Sequence, residues 1–198
     1  MGRRSDHSRA ELEALIVAEG HRLMAETGFT GFSAREVARR IGYSIGTIYN
    51  VFDNLDHLLI AINSHTFELW TDHLGQRVES GSDDRIRTLV EAYFDFARDH
   101  PKLWMAIYDH RLPAGMAMPD RDMDKRRALT RIVFQEIARQ LPNRSESDVE
   151  HLARSLIATV HGHCTYELNG SFTLMGEQQP VELALDRVRE AIASASDT

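Results

Sequence analysis

The placement of the five prolines, at 101, 113, 119, 142 and 180, most constrains what this chain can fold into. Each stands where a helical run of apolar residues begins or has just ended, and none interrupts one. A sheet would require runs of alternating apolar and polar residues, and no such run of useful length occurs. The pattern predicts an all-α chain. Leu12, Leu15, Ile16, Leu23 and Met24 give a first helix over residues 8–27, stopped at Gly28 and Gly31. Ser33 and Glu36 have the spacing of a capping box, each side chain accepting from the other's backbone N–H, at the head of a short second helix that Gly42 ends. Ser44 caps a third, with Ile48, Val51 and Phe52 on its buried side. Asp53 or Asn54 caps a fourth, carried by Leu58, Leu59, Ile62, Leu69 and Trp70 to Leu74, before Gly75 and the Gly81-Ser82 pair break the pattern. Segments 83–99, 101–110, 120–141, 145–169 and 180–195 complete about nine helices, with a loop at 111–119.

The length of 198 residues suits one ordinary domain or a small one joined to a larger one. Cys164 is the sole cysteine, so no disulfide framework exists and a reducing compartment is favoured. Residues 41–52 and 155–166 are the longest stretches without Asp, Glu, Lys or Arg, whereas a membrane-spanning helix needs about 20 apolar residues. Glu11, Glu13 and Glu19 break any secretory signal, and a cytoplasmic location is expected.

Function is concentrated in residues 33–52: a short helix, a turn containing Gly42, and a second short helix. That is the helix-turn-helix pattern, whose second helix enters the major groove of duplex DNA while the first braces it. Thr47, Tyr49 and Asn50 fall away from the Ile48 and Phe52 side. Hydroxyl and amide groups of this kind bond phosphates and base edges, and Asn can pair with adenine. Gly46 lets the backbone approach closely, and the periodicity leaves open whether Ile45 faces thymine methyls or the core. Ser33 and Ser44 sit at the two helix starts. Arg35 and Arg39 share a face suited to phosphates, and Arg3, Arg4 and Arg9 make a mobile basic arm.

The ordered set Glu26-Thr27-Gly28-Phe29, the helix at 32–40, the run Ile41-Gly42-Tyr43-Ser44-Ile45-Gly46-Thr47-Ile48-Tyr49-Asn50-Val51-Phe52, and Leu58-Leu59 resembles the tetracycline-repressor-like (TetR) regulators over residues 8–62. Val160-His161-Gly162 is similar to a Trp-His-Gly element of some members, with Val160 replacing the tryptophan. The resemblance implies a three-helix DNA-binding domain at 1–55 and a larger helical effector-binding and dimerisation domain at 56–198. It also implies a homodimeric, ligand-responsive transcription factor, usually a repressor, that binds double-stranded operator DNA and needs no cofactor. Helices 145–169 and 180–195 would pair with their copies as a four-helix bundle, and a small apolar or amphipathic effector would enter the second domain. The sequence departs from the family at Leu55, where a phosphate-contacting lysine is usual. Residues 1–60 hold seven Arg and no Lys against eight acids, so non-specific DNA affinity should be modest.

Other readings compete. Gly42-Tyr43-Ser44-Ile45-Gly46 spells the nucleophile elbow of an α/β-hydrolase esterase, but that elbow requires a strand before it. A helical interaction module without DNA binding is a further alternative, and it would show no duplex preference in selection from random DNA. His161, His163 and Cys164 carry zinc-ligand chemistry, yet only His161 and Cys164 share a helix face, so no metal site is assigned. Phe94, Trp104, Met105, Tyr108 and Phe134 suit either plain core or an effector cavity, and His161 and Cys164 join Phe94, Trp104 and Tyr108 as candidate ligand contacts. The stripes Val181, Leu185, Val188, Ile192, Ala195 and Val149, Leu152, Leu156, Val160, Cys164 suit either internal burial or dimerisation.

Overall fold

The computed structural model describes residues 7–80 and 83–196. Those residues form ten helices and no strand: α1 (Arg9–Gly31), α2 (Ala34–Arg40), α3 (Ile45–Phe52), α4 (Leu55–Ser80), α5 (Arg85–Asp99), α6 (Pro101–Asp109), α7 (Asp120–Gln140), α8 (Glu146–Leu168), α9 (Ser171–Leu174) and α10 (Pro180–Ser196). None is long and apolar enough to cross a membrane. Expected and observed bounds agree closely, with three differences. Instead of ending at residue 27, α1 continues to Gly31 across a kink at Gly28, whose φ is 71°. Gly75 does not end α4, because a single glycine inside a long helix costs only about 1 kcal/mol. The short α9, which has no apolar periodicity of its own, was not foreseen.

Side-chain caps set the helix starts, each contributing about 1 kcal/mol. Ser8 and Glu11 form a complete capping box at α1. At α2 only half of the expected box exists: Ser33 Oγ accepts from the Glu36 amide, but arginines take the Glu36 carboxylate away. Ser44, Asp84 and Ser145 cap α3, α5 and α8 in the same way.

The chain divides into two compact units, one of residues 1–68 and 102–125, the other of 69–101 and 126–198. The sequence reading put its single boundary at 55/56. The first unit extends beyond it because Leu58, Leu59, Ile62, Leu103 and Ala106 lie in one core with Ile16, Leu23, Val37, Ile48 and Phe52. In the second unit Trp70 stacks on Phe96 with centroids 5.1 Å apart and meets Tyr93 edge-on at 4.8 Å. There α10 packs against α8 and α5, so Leu185, Val188 and Ile192 bury inside the chain, as do Val149, Ala153, Leu156, Val160 and Cys164. The internal reading of both stripes therefore holds for these residues. At the start of α7 Asp122 is buried, with its carboxylate 3.5 Å from Arg121 Nε.

Candidate nucleic-acid interface

The turn between α2 and α3 depends on Gly42, whose φ of 77° is a left-handed value that a side chain would strain. It turns the chain so that α3 lies across α2, with Ile48 fully buried and Phe52 nearly so in the first unit's core. With those two residues inward, the opposite side of α3 faces out. Tyr49 is 39% exposed, Asn50 is exposed and Thr47 half-buried. Ser44 Oγ accepts from the Thr47 amide at 3.2 Å and lies 3.0 Å from the Thr47 hydroxyl, so one serine both starts the helix and orients a candidate contact. Ile45 is half-buried against the core, so its side chain belongs at least in part to packing. A Cβ added at Gly46 would meet only Ser44 Oγ, at 3.6 Å, which leaves open space over the helix start.

The cations of this face are not equally available. Glu36 takes two hydrogen bonds from Arg39, at 2.7 and 2.6 Å, and one from Arg40 at 2.9 Å. The Arg39 guanidinium, with Arg40 assisting, holds the Glu36 carboxyl down at about 2. Arg40 also reaches Glu19 and Glu26 of α1 and serves as an internal strut. Arg35 is exposed and makes no ion pair among the described residues. Arg9 was expected in a mobile arm but begins α1, where it donates to the Val51 carbonyl at 3.4 Å; Arg3 and Arg4 lie outside the described residues. The sequence reading did not single out His7, whose Nδ1 is 2.9 Å from the Tyr43 hydroxyl in the turn. At the head of α4, Leu55 is 41% exposed and Asn54 Oδ1 accepts from the His57 amide. Ser44 of the supposed elbow follows a helix and a turn, not a strand, which removes the structural basis of the esterase reading.

The candidate effector residues fall in different units. Trp104, fully buried, and Tyr108 meet edge-on at 5.2 Å in the first unit. Phe94, His161 and Cys164 are in the second. There His161 Nδ1 lies 3.1 Å from the Tyr93 hydroxyl, and burial holds the imidazole below its ordinary range. His163 Nδ1 faces the Thr159 carbonyl, and burial pushes the Cys164 thiol up to about 12. Among the described residues no three His, Cys, Asp or Glu side chains gather to hold a metal. An apolar cavity of about 40 Å³ lies among Leu74, Leu89, Tyr93, Ile137, Leu156 and Val160, and none of the five candidates lines it.

A profile described as bacterial regulatory proteins, tetR family, matches residues 16–62, and one described as tetracyclin repressor-like, C-terminal domain, matches 86–191. The second match alone spans more than half of the chain. The chain belongs to the TetR family. That family consists of helix-turn-helix transcriptional regulators, not enzymes. This TetR-family chain is 29% identical over 126 residues to the HTH-type transcriptional regulator Rv1816 of Mycobacterium tuberculosis, an alignment covering 61% of this chain and 53% of the relative. It thus spans about half the length of that relative. Its fold is similar to a tetR-family transcriptional regulator from Streptomyces coelicolor, with TM-score 0.66, 18% identity, and coverage of 99% of this chain and 83% of that one. It is also similar to the transcriptional regulator FadR from Bacillus subtilis, solved with stearoyl-CoA, with TM-score 0.65, 14% identity, and coverage of 92% and 98%.

Proposed function

We propose that the protein is a ligand-responsive transcriptional repressor that reads a near-palindromic operator as a homodimer, with α3 in the major groove. The observation that carries this is the two-sidedness of α3: Ile48 and Phe52 are buried while Tyr49 and Asn50 are exposed on a helix with no charged side chain of its own. Tyr49, Asn50 and Thr47 would face base edges, while Ser33, Arg35 and Ser44, with the arm of Arg3 and Arg4, would position the helix on phosphates. Two-fold symmetry places half-sites one or more turns apart, about 34–36 Å each. Selection from a random duplex pool tests the class. A symmetric motif supports it, and no enrichment contradicts it.

Two further outcomes distinguish the roles of these residues. Gly46→Ala should leave the unfolding temperature unchanged or higher, since the added methyl meets open space and alanine favours helix by about 1 kcal/mol, yet weaken operator binding through lost backbone approach. Thermal melts paired with gel shifts read both. Arg35→Ala should weaken binding to all duplexes alike and lower the salt slope by about one per subunit, whereas Arg39→Ala should do less because Glu36 already engages Arg39. Titrations over a range of potassium chloride check this.

Dimerisation would use the faces of α8 and α10 left after their internal packing, including Ala158, Gly162 and Tyr166 at four-residue steps on α8. The effector would be apolar or amphipathic. It would widen the 40 Å³ cavity, since small-molecule pockets run about 300–1,000 Å³. By preferring a dimer whose reading heads no longer match the half-site spacing, it would lower DNA affinity through linkage. Moving occupancy from 99:1 to 1:99 needs about 5.5 kcal/mol of discrimination between the two states.

A further inference from the structure

A second recess, lined by other residues than the apolar cavity, lies in the second unit. It is an open groove of about 850 Å³ between the C-terminal half of α7, the connecting loop and the first turns of α8. Its lining includes the apolar side chains of Phe134, Ala138, Leu141, Pro142 and Val149, beside the polar Thr130 and Gln135. Its rim carries four guanidinium groups, Arg127, Arg131, Arg144 and Arg154, against two carboxylates, Glu146 and Glu150.

The arginines have different duties. Arg154 bonds Glu150 at 2.5 Å and lies 5.7 Å from the Phe134 ring, so it walls the groove while its charge is largely answered. Arg144 donates twice to the Ala195 carbonyl, at 2.7 and 2.5 Å, which fixes it to the end of α10 without neutralising it. Arg127 and Arg131, one helical turn apart on α7, are both exposed; Arg127 engages a partner within the chain, and Arg131 has no ion pair among the described residues. The remaining acid, Glu146, is exposed at the start of α8.

We propose that this groove binds an amphipathic organic anion, a carboxylate with an apolar chain, whose head lies on Arg127 and Arg131 and whose chain lies along Phe134, Leu141 and Val149. Charge selects the occupant: the excess of guanidinium over carboxylate attracts an anion, and the paired N–H groups of arginine match a carboxylate's two oxygens. The apolar side chains in the lining then favour a chain over a bare ion. The volume falls within the range of small-molecule sites. The proposal does not depend on the DNA-binding reading, and its test needs no DNA.

Calorimetric titration of the full chain with sodium decanoate, held below its micelle threshold, reads the site directly. The expected result is one decanoate per chain, with Arg127→Ala/Arg131→Ala and uncharged decanol each weakening binding roughly tenfold or more. Arg131→Gln alone should weaken it less. Arg187→Ala, which removes an exposed arginine paired with Glu190 on α10, should leave it unchanged. Circular dichroism confirms that each variant is folded. No detectable binding, equal binding by the double variant, equal binding of decanol, or equal binding of inorganic phosphate would overturn the assignment.

Discussion

Tyr49→Ala and Thr47→Ala each weaken binding to the selected operator by roughly 30-fold or more while leaving the fold and the dimer intact; that is the expected result with the largest effect on function. Tyr49 is 39% exposed, so truncation removes surface and opens no core cavity. Thr47 lends its amide to the Ser44 cap, and that hydrogen bond survives loss of the hydroxyl. Ile48 and Phe52 continue to hold α3 in place. A base-edge contact is worth about 1–3 kcal/mol, and in a symmetric dimer each is lost twice, so affinity should fall by roughly 30-fold to 20,000-fold. Gel shifts measure the loss and light scattering checks the dimer. Operator affinity unchanged in both variants would contradict the assignment.

Arg85→Ala should lower unfolding free energy by about 3 kcal/mol, because it leaves a buried carboxylate without its main partner. Glu136 is only 3% exposed on α7, and Arg85 at the start of α5 grips it in a paired arrangement at 2.6 and 2.8 Å. The same guanidinium donates to the Val78 carbonyl at 3.2 Å, tying the end of α4 to that junction. Arg139 also contacts Glu136, but at 57% exposure its charge is partly screened by water. The hydrogen bond from Arg85 is the chief cause that holds the Glu136 carboxyl below its usual value of 4.5. A carboxyl depressed in the folded state contributes stability above its unfolded pKa, and that contribution disappears as pH falls through the folded value. Urea unfolding of the wild type should therefore show stability falling on acidification below about pH 4.5, and Arg85→Ala should reduce both the neutral-pH stability and that acid dependence. Replacing both partners, as Arg85→Met/Glu136→Leu, should recover much of the loss because no charge stays buried.

Much of the reading head was legible because its signals are local. Ser33, Ser44 and Gly42 act within one turn of where they stand, and the apolar positions of α3 repeat at the helical period. What the sequence could not assign were choices among long-range partners. Glu36 fits a capping box by spacing, but Arg39 and Arg40 compete for its carboxylate and win through charge. Ile45 sits at the edge of the apolar face, where periodicity is ambiguous, and only packing puts it half inside. The stripes on α8 and α10 have a seam's spacing, yet a seam reads the same whether its partner is another helix of one chain or a copy; here Leu185, Val188 and Ile192 have found partners within the chain. The arginine-rimmed groove escaped notice because Arg127, Arg144 and Arg154 come from three successive segments and have no common period.

Base-edge reading by α3 is tested most directly by replacing purines with their 7-deaza analogues, one position at a time, across the selected operator, which deletes the N7 acceptor from the major groove and changes little else. The account predicts loss of affinity at a few positions placed symmetrically in the two half-sites, and Tyr49→Ala, Thr47→Ala or Asn50→Ala should each erase the sensitivity at its own position. Affinity indifferent to every N7, with binding governed by salt alone, would contradict it.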